Sequence, residues 1–358
     1  MGNVTAGRKS IYFNSDNCFT LKETLGIKAL TFTWMPSWWK SEYGIIMGER
    51  YCMDFDYRIA MAVRMEKHIA GRYQAMQIGD ICKEAAPIAP NWINATTAAA
   101  AGGTVIYSDD NFPTTRHLLE TEIDKLELPA DITKVFPYDE TIRQAAAMNH
   151  KYGTQIKAHL FKNGISNDII QLMGDSAMLE MMDETERFQK VLTYSKEMWE
   201  LVMDYNFKKG SMPEIYMLLL CTVQLMGPKL YEEFFFKHDY EIIEKFYAHN
   251  QKFQLHHCGC FDEFIPIYRK IPHIDMIQIG FQSDPRLALE AFPEADVEYI
   301  YSPYKMLNMT SDQIREYTNV ILERAKGEEH RFSIVAADIE VGTPDENIMA
   351  VYECCKNW

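Results

Sequence analysis

The chain has 358 residues, of which 47% are hydrophobic and 24% charged, a globular composition that excludes collagen-like and low-complexity classes. Asp and Glu outnumber Lys and Arg by 51 to 36, and the net charge of -15 argues against nucleic acid as a partner. The sequence contains neither a signal-peptide pattern nor an apolar run of about eighteen residues. We therefore expect a cytoplasmic protein without membrane association, with its eight cysteines reduced.

The first 139 residues read as an irregular, aromatic-rich entry region. The segment TFTWMPSWWKSEYG holds three tryptophans, and Asp56 to Arg72 predicts a helix. Residues 95–103 predict a short helix with a glycine stop, followed by a strand. Trp38 and Trp39 are candidates for the wall of an aromatic substrate pocket, although their clustering also suits packing into the core.

The middle of the chain shows a less regular alternation of strand and helix patterns. His117, in the polar segment DDNFPTTRH, is a candidate proton donor. Glu140 to Lys151 predicts a helix, IKAHLF predicts a short strand, and Asp183 to Asn206 has apolar residues at helical spacing.

The last third of the chain repeats strand and helix. The apolar runs KFQLHHC, DMIQIGF, VEYIYSP and FSIVAADI predict buried strands, each followed by a helical stretch. This repeat predicts a β/α (TIM-like) barrel. We expect one domain over residues 1–358, with 1–139 as an N-terminal elaboration. In GTPDE, Thr343 and Glu346 predict a capping box for the last helix.

Reactive residues in such barrels lie at the C-terminal ends of strands, and the densest chemistry here is at LHHCGC. Residues two apart on a strand share a face, so His256 and Cys258 can converge on one ion while His257 points elsewhere. Imidazole and thiolate suit zinc. Gly259 lets the backbone turn, and Cys260 is an extra candidate ligand. A lone His-x-Cys pair is also compatible with simple packing.

Other strand ends carry further candidates. Tyr304, just after a predicted strand, and Cys221, before a Gly-Pro pair, are candidate substrate contacts near the barrel mouth. Asp338, on the last predicted strand, is a candidate catalytic carboxyl.

The strings HHCG, ADIEVGTPDENI and GPKLYEEFFFKHDYEIIEKF together resemble the uroporphyrinogen decarboxylase superfamily, in its cobalamin-dependent methyltransferase branch. The resemblance implies a zinc enzyme on a β/α barrel, with ligands from an HxCG pair and from a cysteine on the last strand. His256, Cys258 and Gly259 match the pair, whereas Ala337 stands where the second cysteine is expected. One of Glu214, Asp338, His257 and Cys260 then completes the site, or metal binding has been lost. The ligand set that we predict is His256, Cys258 and Glu214.

The run WWKSEYGIIMGERYCMDFDYR resembles methyltransferases of anaerobic O-demethylase systems. That resemblance implies methyl transfer from a methoxylated aromatic to cobalamin carried by a separate corrinoid protein, with His256, Asp338 and His117 as the catalytic candidates. The sequence contains no Asp-x-His-x-x-Gly loop for a corrinoid of its own. The alternatives are a methylcobamide:thiol methyltransferase, against which Ala337 argues, a porphyrinogen decarboxylase, and a non-catalytic homologue that binds a corrinoid protein.

Overall fold

The computed structural model describes residues 18–21, 30–76, 92, 94–356 and 358. Most of its strands belong to one sheet, whose six parallel strands are largely buried on both faces. The strands of this part of the chain are β1 (Cys18–Leu21), β2 (Leu30–Trp34), β3 (Val105–Ile106), β4 (Thr114–Thr115), β5 (Ile215–Leu219), β6 (Lys252–His257), β7 (Met276–Ile279), β8 (Asp296–Ile300) and β9 (Phe332–Ile339).

The main sheet has the order β1-β2-β9-β8-β7-β6-β5. β1 is antiparallel to β2, and the six strands from β2 to β5 along this order are parallel. This arrangement confirms the α/β part of the predicted fold. Among the described residues no pairing joins β5 back to β2, so a closed barrel stays a prediction. β2 pairs with β9, which means that the region 1–139 contributes directly to the sheet.

Helices cover the sheet and follow most of its strands. They are α1 (Pro36–Tyr43), α2 (Glu49–Met53), α3 (Phe55–Arg72), α4 (Thr96–Ala100), α5 (Glu120–Ile123), α6 (Tyr138–Tyr152), α7 (Ile165–Met173), α8 (Ser176–Met182), α9 (Glu186–Lys209), α10 (Val223–Phe234), α11 (Phe236–Ala248), α12 (Ile265–Tyr268), α13 (Pro285–Ala291), α14 (Pro303–Asn308), α15 (Ser311–Arg324) and α16 (Asp345–Lys356). None of the helices in the described part of the chain has the length and apolar character needed to cross a membrane.

The strand predicted at IKAHLF is wrong. Residues 156–161 lie outside every ladder of the described sheets, because side chains satisfy the backbone there. Asn206 accepts from the Leu160 N–H at 2.9 Å and donates to the Leu160 carbonyl at 2.7 Å, and the Tyr216 hydroxyl accepts from the Lys162 N–H at 3.2 Å. A buried backbone group needs one partner, which a side chain can supply as well as a strand.

The capping box predicted at the last helix is also wrong. α16 begins at Asp345, and the carbonyl of Pro344 accepts the first helical N–H bonds from Asn347 and Ile348. The Thr343 hydroxyl is buried and has no hydrogen-bond partner among the described residues. The helix therefore starts two residues after the predicted cap, which takes Thr343 out of reach.

Candidate metal centre

Two neighbouring parallel strands end at the candidate site. β6 runs through His256 and His257, with Cys258 next in the chain, and Leu219 at the end of β5 lies opposite His256. The Leu220 N–H donates to the His256 carbonyl at 3.0 Å, which extends the pairing beyond β5. Cys221 and Cys258 therefore meet at the C-terminal edge of the sheet, where α/β barrels place their reactive groups.

Cys221, His256 and Cys258 form a compact group of metal-ligating side chains, which we call the Cys-His-Cys cluster. One ligand atom from each of the three lies within 4.8 Å of the others. A tetrahedral zinc site holds its ligand atoms roughly 3 to 4 Å apart, so a small inward movement brings these atoms to the required spacing. One imidazole nitrogen and two sulfurs are the donors that zinc prefers, and the residues present therefore fit this metal.

A buried amide on the next strand orients the imidazole of His256. The Gln278 amide nitrogen donates to the carboxylate of Glu298, so its oxygen faces His256 and accepts from Nδ1. Gln254 donates to the same carboxylate at 3.3 Å. All four side chains are buried. Because Nδ1 carries the proton, Nε2 keeps its lone pair for a metal.

The two sulfurs share a hydrogen bond that makes them unequal. The bond from the Cys258 thiol holds the pKa of Cys221 below its usual range, whereas the same bond, with burial, raises the pKa of Cys258. The Gln224 amide nitrogen also lies 3.9 Å from the Cys258 sulfur. A thiolate is the form of cysteine that binds metal, and the lowered pKa of Cys221 favours this form.

Two glycines are required by the space around Cys258. A Cβ atom on Gly259 would lie 2.0 Å from the side-chain oxygen of Gln224, and one on Gly280 would lie 2.1 Å from the Cys258 carbonyl oxygen. The φ angle of Gly259 is not positive. A glycine is therefore favoured here by the close approach of Gln224, and not by the turn that the sequence predicts.

Asp338 brings a carboxyl toward the same edge of the sheet. Its backbone has φ of 58°, in the left-handed region, and its N–H donates to the Thr33 hydroxyl at 2.9 Å. Burial, reinforced by the charge of Glu340, raises the pKa of Asp338 to about 6, against an opposing effect of His256. Non-glycine residues in this region cluster at functional sites.

The structure places three other candidate residues away from the cluster. His257 points to the opposite face of β6, where its Nδ1 lies 3.0 Å from the Tyr268 hydroxyl in an aromatic pocket. Glu214 is exposed and precedes β5, a full strand away from Cys221. His117 is exposed beside the C-terminal end of α7 and lies 3.1 Å from the Gln171 carbonyl. Glu214 therefore lies outside the Cys-His-Cys cluster.

Some of the candidate substrate-binding residues lie in the core and one lies at the surface. Trp38 and Trp39 are almost completely buried and pack edge to face with each other and against Trp34, so they serve as core rather than as an open wall. Tyr304 is 72% exposed on α14, directly after β8. Cys221 belongs to the cluster itself, a role that the sequence did not reveal because its neighbour lies on another strand.

Comparison with known proteins gives a family and several structural relatives. The family model of uroporphyrinogen decarboxylase (URO-D) matches residues 88–358. A solved structure of a methyltransferase from Methanosarcina mazei is similar over 91% of this chain and 91% of that chain, with a TM-score of 0.62 and 14% sequence identity. At this identity the likeness establishes the fold. No curated protein matches the chain.

Proposed function

Because the chain belongs to the uroporphyrinogen decarboxylase family, we propose that it is a zinc-assisted methyltransferase that moves a methyl group between a small molecule and a corrinoid carried by a partner protein. The observation that carries the proposal is the Cys-His-Cys cluster at the C-terminal ends of β5 and β6. The fold likeness to a protein described as a methyltransferase supports it.

In this proposal the residues of the chain bind the metal and orient the reacting groups. His256, held by Gln278, and Cys258 would hold the zinc. When bound, the metal supplies a Lewis acid that polarises the reacting oxygen or sulfur of the small molecule. Catalysis otherwise rests on positioning the methyl carbon and on stabilising the charge that develops on the departing atom.

The substrate class that we propose is a methoxylated aromatic. In this O-demethylation the electron pair of Co(I) on the partner's corrinoid would form the new bond to the methyl carbon. The bond between methyl carbon and oxygen would break, and its electron pair would stay on oxygen. Asp338 would supply a proton to that oxygen as the bond breaks, since burial keeps its carboxyl protonated to higher pH than an exposed aspartate. The N-terminal resemblance to O-demethylase methyltransferases supports the same choice.

A second candidate, methylation of a thiol by a methylated corrinoid, is favoured by Cys221. Ala337 argues against thiol chemistry only if the site has a single sulfur, and Cys221 brings a second one into the cluster. Porphyrinogen decarboxylation has less support. A polycarboxylate needs cationic partners. The half-buried Asp338 and the buried Glu298 are acidic, and the buried Lys162 is paired with Asp168.

Two assays with free cobalamin as the probe separate these reactions. Zinc-loaded protein is mixed anaerobically with cob(I)alamin and 2-methoxyphenol, or with methylcobalamin and 2-mercaptoethanol, and the corrinoid spectrum is followed. Formation of methylcobalamin and catechol in the first mixture would support O-demethylation. Loss of methylcobalamin in the second mixture alone would support thiol methylation. Inactivity in both mixtures, repeated with a corrinoid protein in place of the free cofactor, would refute methyl transfer.

A further inference from the structure

The position expected to hold the second metal-binding cysteine lies beside the Cys-His-Cys cluster. Ala337 on β9 is buried in a small group with Met217, Leu219, Ile300 and Val335. Cys221 and Cys258 pack against this same group. The methyl group of Ala337 therefore occupies the place from which a sulfur on β9 would reach the metal, and it cannot coordinate one.

Cys221 reaches this packed group from a strand that lies several positions away from β9 in the sheet. It follows β5, whereas Ala337 lies on β9, and its sulfur is within 4.8 Å of the ligand atoms of His256 and Cys258. Asn167 on α7 fixes this point of the chain, because its side-chain oxygen accepts from both the N–H and the hydroxyl of Thr222, at 3.0 and 2.9 Å. These two bonds anchor the backbone next to Cys221.

We propose that Cys221 supplies the third protein ligand of the metal centre, in place of the residue at position 337. This inference rests on the proposed zinc function and specifies its ligands. The donors then come from two adjacent strands, β5 and β6, with none from β9. Two thiolates and a neutral imidazole balance the double charge of zinc, as a cysteine at position 337 would have done. The centre then keeps two sulfur donors although position 337 is alanine.

A rescue experiment tests the exchange. Wild type, Cys221→Ala, Ala337→Cys and the double variant C221A/A337C are purified anaerobically, and zinc affinity is measured with a competing chelator. The number of sulfur neighbours is read from the zinc X-ray absorption spectrum. We expect two sulfurs in the wild type at about 2.3 Å. Cys221→Ala should retain one sulfur and bind zinc about 100-fold more weakly, at or beyond the upper end of the losses seen for outer-shell partners.

The double variant should recover two sulfurs and most of the zinc affinity, because position 337 faces the same packed group. Cys260→Ala is the matched control, since this half-buried cysteine lies two residues from Cys258 but outside the cluster. Cys221→Ser preserves the size of the side chain and repeats the test if the alanine variant unfolds. Serine should likewise leave one sulfur neighbour.

The outcomes separate the two levels of the proposal. If Cys221→Ala and Cys221→Ser keep two sulfurs and wild-type affinity while His256→Ala loses zinc, the assignment of Cys221 is overturned and the zinc centre stands. If the wild type binds no zinc after anaerobic reconstitution, the zinc function fails and the assignment fails with it. One sulfur in both Cys221 variants and two in the double variant establish the exchange.

Discussion

The Nδ1 atom of His256 donates a hydrogen bond to the side-chain oxygen of Gln278 on the next strand. Gln278 is fixed in turn by the Glu298 carboxylate on β8, so three adjacent strands contribute to the orientation of one imidazole. Outer partners of this kind set the tautomer of a metal-binding histidine and stiffen its ring. The hydrogen bond between His256 and Gln278 can be tested without knowing the substrate.

Gln278→Leu should weaken zinc binding by about 10- to 100-fold, because the imidazole loses the acceptor that keeps the proton on Nδ1. Gln254→Leu is the matched control. Gln254 is equally buried and donates to the same carboxylate, but its amide bonds to Glu298 and not to His256. Chelator competition measures both affinities, and equal losses in the two variants would contradict the orienting role of Gln278.

Asp338→Asn should lower the rate of methyl transfer from a methoxylated aromatic without unfolding the protein. Asparagine tolerates the left-handed backbone of this position, where φ is 58°, while Asp338→Ala should cost about 1 kcal/mol of stability as well. In the wild type the rate should fall as the pH rises through the pKa of Asp338, and the Asn variant should lose this decline. Stopped-flow rates at several pH values provide the check; an unchanged profile in the Asn variant would remove Asp338 from the mechanism.

The buried carboxyl of Asp239 should make the free energy of unfolding depend on pH. Its carboxyl accepts from the Ile165 N–H at 3.3 Å and the Tyr231 hydroxyl at 3.1 Å, yet burial raises its pKa to about 7. The folded chain therefore binds more protons than the unfolded chain between about pH 4 and pH 7. The stability that this group contributes is full at the acid end of that window and is lost as the pH rises through about 7.

Asp239→Asn should flatten this part of the stability profile, and near pH 8 the variant should be the more stable protein. Urea unfolding between pH 5 and pH 8 measures the slope. Asp312→Asn is the control, since that side chain is 95% exposed. A steeper loss of stability with pH in Asp239→Asn than in the wild type would contradict the effect assigned to burial.

Lys162 and Asp168 form an ion pair in which neither side chain has any exposed surface. Lys162→Met should cost about 3 to 5 kcal/mol, because it leaves the Asp168 carboxyl in the interior with the Thr97 hydroxyl but without its cation. The double variant K162M/D168L should recover much of this loss, since it removes both buried charges. Urea unfolding measures both variants. A double variant no more stable than the single one would show that packing, and not charge, makes Lys162 necessary.

The sequence predicts the four strands of the last third because they are buried on both faces. FSIVAADI, for example, coincides with β9 as observed. The same signal is present in IYMLL, which forms β5, but the run lies between a long helix and a Gly-Pro pair and is not among the predicted strands. At IKAHLF the apolar pattern misleads, because Asn206 takes the hydrogen bonds that a neighbouring strand would make.

The site is predictable only where its residues are close in the sequence. The spacing of His256 and Cys258 places both on one face of β6, and the structure brings them together. Cys221 precedes His256 by 35 positions, and only the pairing of β5 with β6 brings their side chains into contact. Trp38 and Trp39 illustrate the opposite problem, since composition cannot distinguish an aromatic pocket wall from an aromatic core.

Metal analysis of the anaerobically purified protein tests the central claim most directly. Zinc per chain is measured in the wild type, in His256→Ala and Cys258→Ala, and in Glu214→Ala, whose exposed carboxyl lies a strand away from Cys221. We predict about one zinc per chain in the wild type and in Glu214→Ala, and little in the two ligand variants. Absence of zinc from the wild type, or equal zinc in all four proteins, would contradict a metal centre at the Cys-His-Cys cluster.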